Sequence, residues 1–446
     1  MATAAGSRRG SRYRSSRIRQ PQPGDPLTHG VDTACAPGQT VCRDATGQAA
    51  CARSADCQAP LTSTHGYTPW FGPPTSEAHQ DAESRALRVR SLARRIKADG
   101  LEACSRLRVL EVLTEDQKRS ASWSFIAFCK DRVTGIRLAV KGFAWFDLDR
   151  CAPFADMGFT SRQHAHVSGL QYEACMYEKA TPRLATPNLV KPLGSTRLSS
   201  KTLRTANIAF VKAVARAGAG LGLDHALKGD CLGVELVFTE LRPAVKSLHR
   251  IMVEDSPSPD VLRALAFQIV YTVYAMQQGE VQHHDLHLGN VLVDLKPHEV
   301  HIEYRAAGFV FQVPMTSGKV MVFDWDLGYS PACGANPRLS QSACQALSAC
   351  NQMTLNYDWA QLLYKLLITA ITLDFREFAS FVRAFLPVDA VSNMSLAGNP
   401  RGYPCFRPQD GRAPCAAWPT DQPTWLSELE GPEQALAHAY FDPLRL

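Results

Sequence analysis

The sequence predicts an α+β protein in two lobes with a cleft between them, and three observations carry that expectation. Leu107 to Leu113, Trp123 to Cys129 and Ile136 to Val140 are short runs of alternating apolar residues, the period-two pattern of half-buried antiparallel strands. Beyond about Glu240 the pattern changes, and Arg263 to Gln278, Tyr357 to Thr372 and Phe375 to Phe385 read as apolar helices. The composition, 45% hydrophobic and 20% charged over 446 residues, is globular and large enough for one two-lobed unit with extensions.

Residues 1–81, rich in Ala, Ser, Gly, Pro and Gln, are expected to form a disordered extension. All of the net charge of +6 lies towards this end: the first hundred residues hold 14 Lys/Arg against 8 Asp/Glu, and the rest hold 34 against 34. Arg8, Arg9, Arg12, Arg14, Arg17 and Arg19 precede the first acid, Asp25, a pattern that suits an acidic or nucleic-acid partner as well as a solvated tail. They lead into Gln20-Pro21-Gln22-Pro23 instead of an apolar stretch, so no secretory leader is expected. The longest apolar run, Ala264 to Met276, is interrupted by Gln268 and too short to span a bilayer, so a soluble intracellular protein is expected, without a membrane partner. Most of the 14 cysteines stand singly, Cys104, Cys129, Cys151, Cys175 and Cys231 among them, as in a reduced compartment. Cys35, Cys42, Cys51 and Cys57 lack the close pairs of a zinc knuckle.

A leading helix is expected over 82–106, with Leu87, Leu92 and Ile96 on its apolar face, then a strand-rich lobe over 107–239 that includes a helix at 168–180 and a strand at Leu232 to Thr239. The helix-rich lobe covers 240–446, with hairpin-like strands up to Phe323, an irregular segment at 393–423 and a last short helix near Glu430 to Tyr440.

Chemistry concentrates in His283-His284-Asp285-Leu286-His287-Leu288-Gly289-Asn290 and in Phe323-Asp324-Trp325-Asp326. An Asp and an Asn five residues apart on one loop can set a carboxylate beside an attacking hydroxyl and an amide oxygen on Mg²⁺, and a second carboxylate after a buried strand completes a hard-oxygen site. Lys141 ends the apolar run Leu138-Ala139-Val140, and Glu173 falls on the helix 32 residues later. Such a lysine can point to water from an edge strand, or reach nucleotide phosphates while a carboxylate holds it.

In this order the parts resemble the eukaryotic-type protein kinase fold over residues 107–445, with the nearest likeness to the divergent Ser/Thr protein kinases of large DNA viruses. Lys141 matches the lysine of the V-A-I-K strand, Glu173 its helical partner, and Thr186-Pro187-Asn188-Leu189-Val190 the segment after that helix. Phe238-Thr239-Glu240-Leu241 resembles the hinge, whose Glu240 and Leu241 backbone would meet adenine. His283, Asp285 and Asn290 fall on H-R-D-L-x-x-x-N, Asp324-Trp325-Asp326 on D-F-G, and Asp358 on the aspartate that braces the catalytic loop. Phe267 to Thr272 before the loop, and Gly334-Ala335-Asn336-Pro337 after it, are typical of the viral group.

The resemblance implies ATP and Mg²⁺ as cofactors and a protein substrate, in host cytoplasm or virion. Asp285 would handle the hydroxyl proton, Lys141 with Glu173 would position the nucleotide, and Asn290 with Asp324 would hold the metal. His283 and Trp325 would pack beneath the loop.

The chain departs from the pattern in three places. Arg119-Ser120-Ala121-Ser122-Trp123-Ser124 has no glycine where a phosphate-covering loop belongs, leaving Ser120 and Ser122 to approach the nucleotide. His287 stands where Ser/Thr kinases carry a lysine, as in aminoglycoside-type kinases, and no A-P-E follows Asp326. A small-molecule kinase of the aminoglycoside or choline type, and a pseudokinase that binds partners, therefore remain alternatives.

Overall fold

The computed structural model describes residues 39–43, 49–53, 66–99, 105–112, 124–146, 172–199, 232–339, 350–386, 426 and 429–446. The chain divides into two units, Met1–Ser63 and Thr64–Leu446. In the first, β1 (Gln39–Arg43) and β2 (Ala49–Arg53) form an antiparallel ladder in which Val41 faces Cys51. The arginines at 8–19, Ser120, Ser122 and the segment expected to be irregular at 393–423 lie outside the described residues.

The second unit is a mixed α+β structure whose sheets are antiparallel. Its largest sheet has the order β4-β5-β6-β8-β7, formed by Leu107–Val112, Ser124–Asp131, Arg137–Phe146, Leu232–Glu240 and Pro192–Ser199. Alternation works as the sequence suggests: Phe125, Ala127 and Cys129 on β5 and Leu138 and Val140 on β6 are buried. Strand β7 is an addition to the expected strands; its Pro192 and Gly194, residue types that weaken a strand, sit where its pairing with β8 shifts register.

Helix α1 (Glu77–Asp99) lies against β7. It starts before residue 82 because Ser76 caps it, its hydroxyl accepting from the His79 amide at 3.2 Å. Its buried stripe is Val89, Leu92 and Ile96, whereas Leu87 is 60% exposed. The 3- and 4-residue steps of Val89-Leu92-Ile96 hold one helix face, which the 5-residue step from Leu87 does not. Residues 66–80 also belong to the folded unit. Strand β3 (Gly66–Trp70) pairs with β11 (His301–Ala306), setting Tyr67 opposite Tyr304.

Beyond β8, helix α3 (Pro259–Gln278) is buried on nearly every side from Leu262 to Met276. Ser258 caps it and Pro259 opens it, so it starts four residues before the expected start at Arg263. Around it stand α4 (Tyr357–Thr372), α5 (Arg376–Arg383) and α6 (Pro432–Ala437). The short strands β9 (Val245–Ser247), β10 (Val291–Asp294) and β13 (Lys319–Val322) make one small sheet, and β12 (Phe309–Pro314), β11 and β3 another. Phe267 joins Tyr304, Phe311 and Phe441 in an aromatic core, with ring centroids 4.6–5.3 Å apart.

Buried polar groups fix how these layers meet. The Gln268 side-chain oxygen accepts from Val320 N and Asn188 Nδ2, both at 2.9 Å, and Tyr304 donates to Asn188 Oδ1 at 3.1 Å. The segment 188–190 is thereby tied to β13, with Val190 N donating to Val322 O and Val322 N to Asn188 O. Among the described residues no helix is long and apolar enough to cross a membrane.

Glu240 joins α1 to the end of β8. Its carboxylate lies 2.6 Å from Arg85 Nη2 and 3.3 Å from Arg242 Nη1, and Arg242 Nε reaches Asp294 at 2.7 Å. Burial alone would raise the Glu240 pKa, but Arg242 and Arg85 prevail and hold it below the ordinary carboxylate range. Glu240→Gln is expected to cost about 2 kcal/mol at neutral pH. Because the folded value is depressed, this contribution is complete above the unfolded value of about 4.3 and lost as pH falls through the folded one. Thermal denaturation of both proteins between neutral and acid pH would show the difference shrinking; a constant difference removes the ion pairs as its cause.

Candidate active site

The loop from His283 to Asn290 is shaped from below by helix α4. Asp358 accepts from the His283 amide at 2.7 Å and the His284 amide at 2.8 Å, and Gln361, one turn on, accepts from the Leu286 amide at 2.8 Å. These bonds hold His284 at a left-handed φ of 61°, a conformation that L residues rarely adopt without such support. His283 Nδ1 accepts from Asp285 N at 3.3 Å, which leaves Nε2–H to donate to Phe323 O at 2.8 Å, while the ring packs on Trp325 with centroids 4.8 Å apart. His284 is buried against Leu327 O, and burial lowers its pKa to about 4, so it is neutral.

Asn290 turns its amide nitrogen back onto Asp285, 3.0 Å from the backbone oxygen and 3.4 Å from Oδ2. The Asn290 side-chain oxygen is thereby left for another partner. Val291 faces Val322 in the β10–β13 ladder and Phe323 N donates to Asn290 O at 3.2 Å, so Asn290 and Asp324 leave the same end of that ladder. Asp324 has a left-handed φ of 70°, and its amide donates to Tyr177 Oη at 3.3 Å.

Lys141 joins the sheet to this loop region. Its Nζ lies 2.5 Å from Glu173 Oε2 and 2.8 Å from Asp324 Oδ1. Burial disfavours the ammonium, yet Asp324, Glu173 and Asp326 keep its pKa well above the ordinary value. Glu173 sits on helix α2 (172–180), which is α-helical at its start and widens to a π-helix over Met176–Ala180. Burial raises the Glu173 pKa, whereas Lys141 overcomes burial at Asp324 and lowers that one.

Negative charge is in excess around the ladder end. Asp285 is raised to about 7 by burial and by the carboxylates of Asp326 and Asp324, and Asp326, paired with Arg338, is raised by burial and Asp324. A hard divalent cation fits this donor set: the Asn290 side-chain oxygen, the Asp324 carboxylate and a surplus of negative potential. Among the described residues no group of three or more His, Cys, Asp or Glu side chains is placed to hold a metal by itself, so substrate or water oxygens would have to complete the coordination.

Helix α2 is fastened to the segment after Asp326. Tyr172 Oη accepts from Ser330 N at 3.1 Å and lies 3.0 Å from Gly334 O, and Cys175 is disulfide-bonded to Cys333. The expectation that Cys175 stands alone in a reduced protein is thereby corrected. The two cysteines are 158 residues apart, a separation that no local spacing reveals. Cys129 is buried, its Sγ 3.9 Å from Ala127 O.

The structure thus brings Lys141, Glu173, Asp285, Asn290 and Asp324 to one region. At Glu240 and Leu241 the backbone N–H groups are already engaged. The Glu240 side chain turns to Arg85 and Arg242, its amide donates to Lys191 O at 2.9 Å, and the Leu241 amide donates to Arg137 O at 3.1 Å. Neither N–H is free to meet a base. Sequence reasoning missed Gln361, although it falls on the Asp358 face of its helix, as well as Tyr177 and Arg338, which carry no local signal. No family model matches the chain, and no curated protein matches it in sequence.

Proposed function

We propose that the protein is an ATP- and Mg²⁺-dependent kinase that transfers the γ-phosphoryl group to Ser or Thr hydroxyls of proteins. Its fold would be the two-lobed protein kinase-like one, with the β4–β8 sheet in the smaller lobe and α3 to α6 in the larger, of the divergent type found in large DNA viruses. The observation that carries this reading is Lys141, held between Glu173 at 2.5 Å and Asp324 at 2.8 Å, above a loop that presents Asp285 and Asn290.

Each group then has a task. Lys141 orients the nucleotide phosphates, and Glu173 keeps the lysine in place. Asn290 and Asp324 are the ligands for Mg²⁺, which when bound supplies positive charge against the phosphates. Asp285 receives the proton of the attacking hydroxyl, and Asp358 with Gln361 keeps its loop rigid.

Full-length protein with Mg²⁺ and γ-labelled ATP is expected to label Ser or Thr of itself or of a generic acidic or basic protein. His287, standing where Ser/Thr kinases carry a lysine, is the observation that favours a small-molecule acceptor. Label found only on amino-alcohols would establish that alternative. Absence of transfer by a folded protein would overturn both and leave a binding module.

A further inference from the structure

Phosphoryl transfer spreads negative charge over the moving group, and a site built from Asp285, Asp324 and Asp326 needs cations to meet it. Those already described are engaged: Lys141 by Glu173 and Asp324, and Arg338 by Asp326. His287 stands 3.9 Å from Asp285, but its Nδ1 accepts from Gly289 N at 3.0 Å, so that nitrogen carries no proton and the ring brings no charge. The loop itself therefore brings no cation to the place where phosphate would lie.

Helix α4 brings one. Asp358, Gln361 and Lys365 fall at i, i+3 and i+7, on one face of the helix. Asp358 binds the His283 and His284 amides and Gln361 binds the Leu286 amide, so loop and helix run side by side in the same direction. Lys365, a turn beyond Gln361, comes next, towards His287. It is half-buried and, among the described residues, has no carboxylate within 4.0 Å; its ammonium lies 5.6 Å from the centre of the Tyr364 ring. Burial lowers the Lys365 pKa and the Asp285 carboxylate opposes that fall, which agrees with this placement.

We propose that Lys365 supplies, from the helix beneath the loop, the cation that meets the transferring phosphoryl group beside Asp285. The inference rests on the kinase reading above. In the step it serves, the bond from the γ-phosphorus to the β–γ bridging oxygen breaks and a bond from the substrate hydroxyl oxygen forms. The hydroxyl proton passes to Asp285 and ADP leaves. Lys365 gives hydrogen bonds and charge, and exchanges neither protons nor electrons.

The test compares Lys365→Met, Lys365→Arg and the double variant Lys365→Met with His287→Lys, in the full chain. Lys365→Met is expected to lower kcat roughly a hundredfold, with KM for ATP within about threefold and an unchanged melting temperature. Lys365→Arg should keep most of the rate, and His287→Lys in the Met background should restore at least about tenfold by returning the cation to the loop. Wild-type kcat in Lys365→Met overturns the inference and leaves the kinase reading standing. So does a loss of rate that neither the arginine nor the second lysine relieves. A wild-type protein that transfers nothing overturns the kinase reading and this inference together.

Discussion

Asp285→Asn is expected to reduce kcat about a thousandfold while nucleotide affinity stays within a few fold. The substitution keeps the size of the side chain, and the backbone bonds that shape the loop come from Asp358 and Gln361, so the loop should hold. What is lost is a carboxylate that can take a proton. Burial and the neighbouring Asp326 and Asp324 lift the Asp285 pKa to about 7, which makes it a better proton acceptor than an exposed aspartate. Asn290 Nδ2, which reaches both the backbone and side-chain oxygens of Asp285, keeps a partner in the backbone oxygen. Single-turnover transfer measured alongside equilibrium nucleotide binding separates the two quantities. Full activity in the variant would remove Asp285 from the chemistry.

Opening the Cys175–Cys333 disulfide is expected to destabilise the unit by as much as about 5 kcal/mol, the chain-entropy limit for so long a loop. For a unit of this size that corresponds to a fall of about 6 °C in melting temperature. The Cys175→Ser, Cys333→Ser double variant should show this shift, and since Cys350 is also disulfide-bonded, reduced protein should fall at least as far. The effect should also reach Glu173, two residues before Cys175, because the bond anchors its helix to the segment beyond Asp326. Without it, the Tyr172 hydrogen bonds are the polar ties that remain between the two among the described residues, and amide exchange over 172–180 should quicken. Identical melting of oxidised and reduced protein would exclude a stabilising role.

Which features were legible depends on how far the physical constraint acts along the chain. Helix α4 and the apolar body of α3 show as periodic runs, since each buries side chains at a fixed angular step. Asp285, Asn290 and Asp324 show because a loop between buried segments leaves few places for oxygen-bearing side chains. Strand β3 stayed hidden because Pro69 and Gly66 look like loop residues, and its partner β11 lies more than 200 positions away. The disulfide, whose cysteines are 158 residues apart, is equally nonlocal. The roles of the Glu240 and Leu241 amides could not be read from side chains at all, since backbone pairing with Lys191 and Arg137 decides them.

On the kinase reading proposed above, that pairing bears on the kind of inhibitor the site would accept. Flat heteroaromatic compounds that compete with ATP commonly take their grip from amides at the end of the strand between the lobes. Here the Glu240 and Leu241 amides already have carbonyl partners, and a compound reaching for them must first break a bond worth about 1 kcal/mol net. Such scaffolds should bind weakly, and compounds that place an anionic group against Lys141 should be favoured, which would give a chemist selectivity over enzymes whose corresponding amides are free.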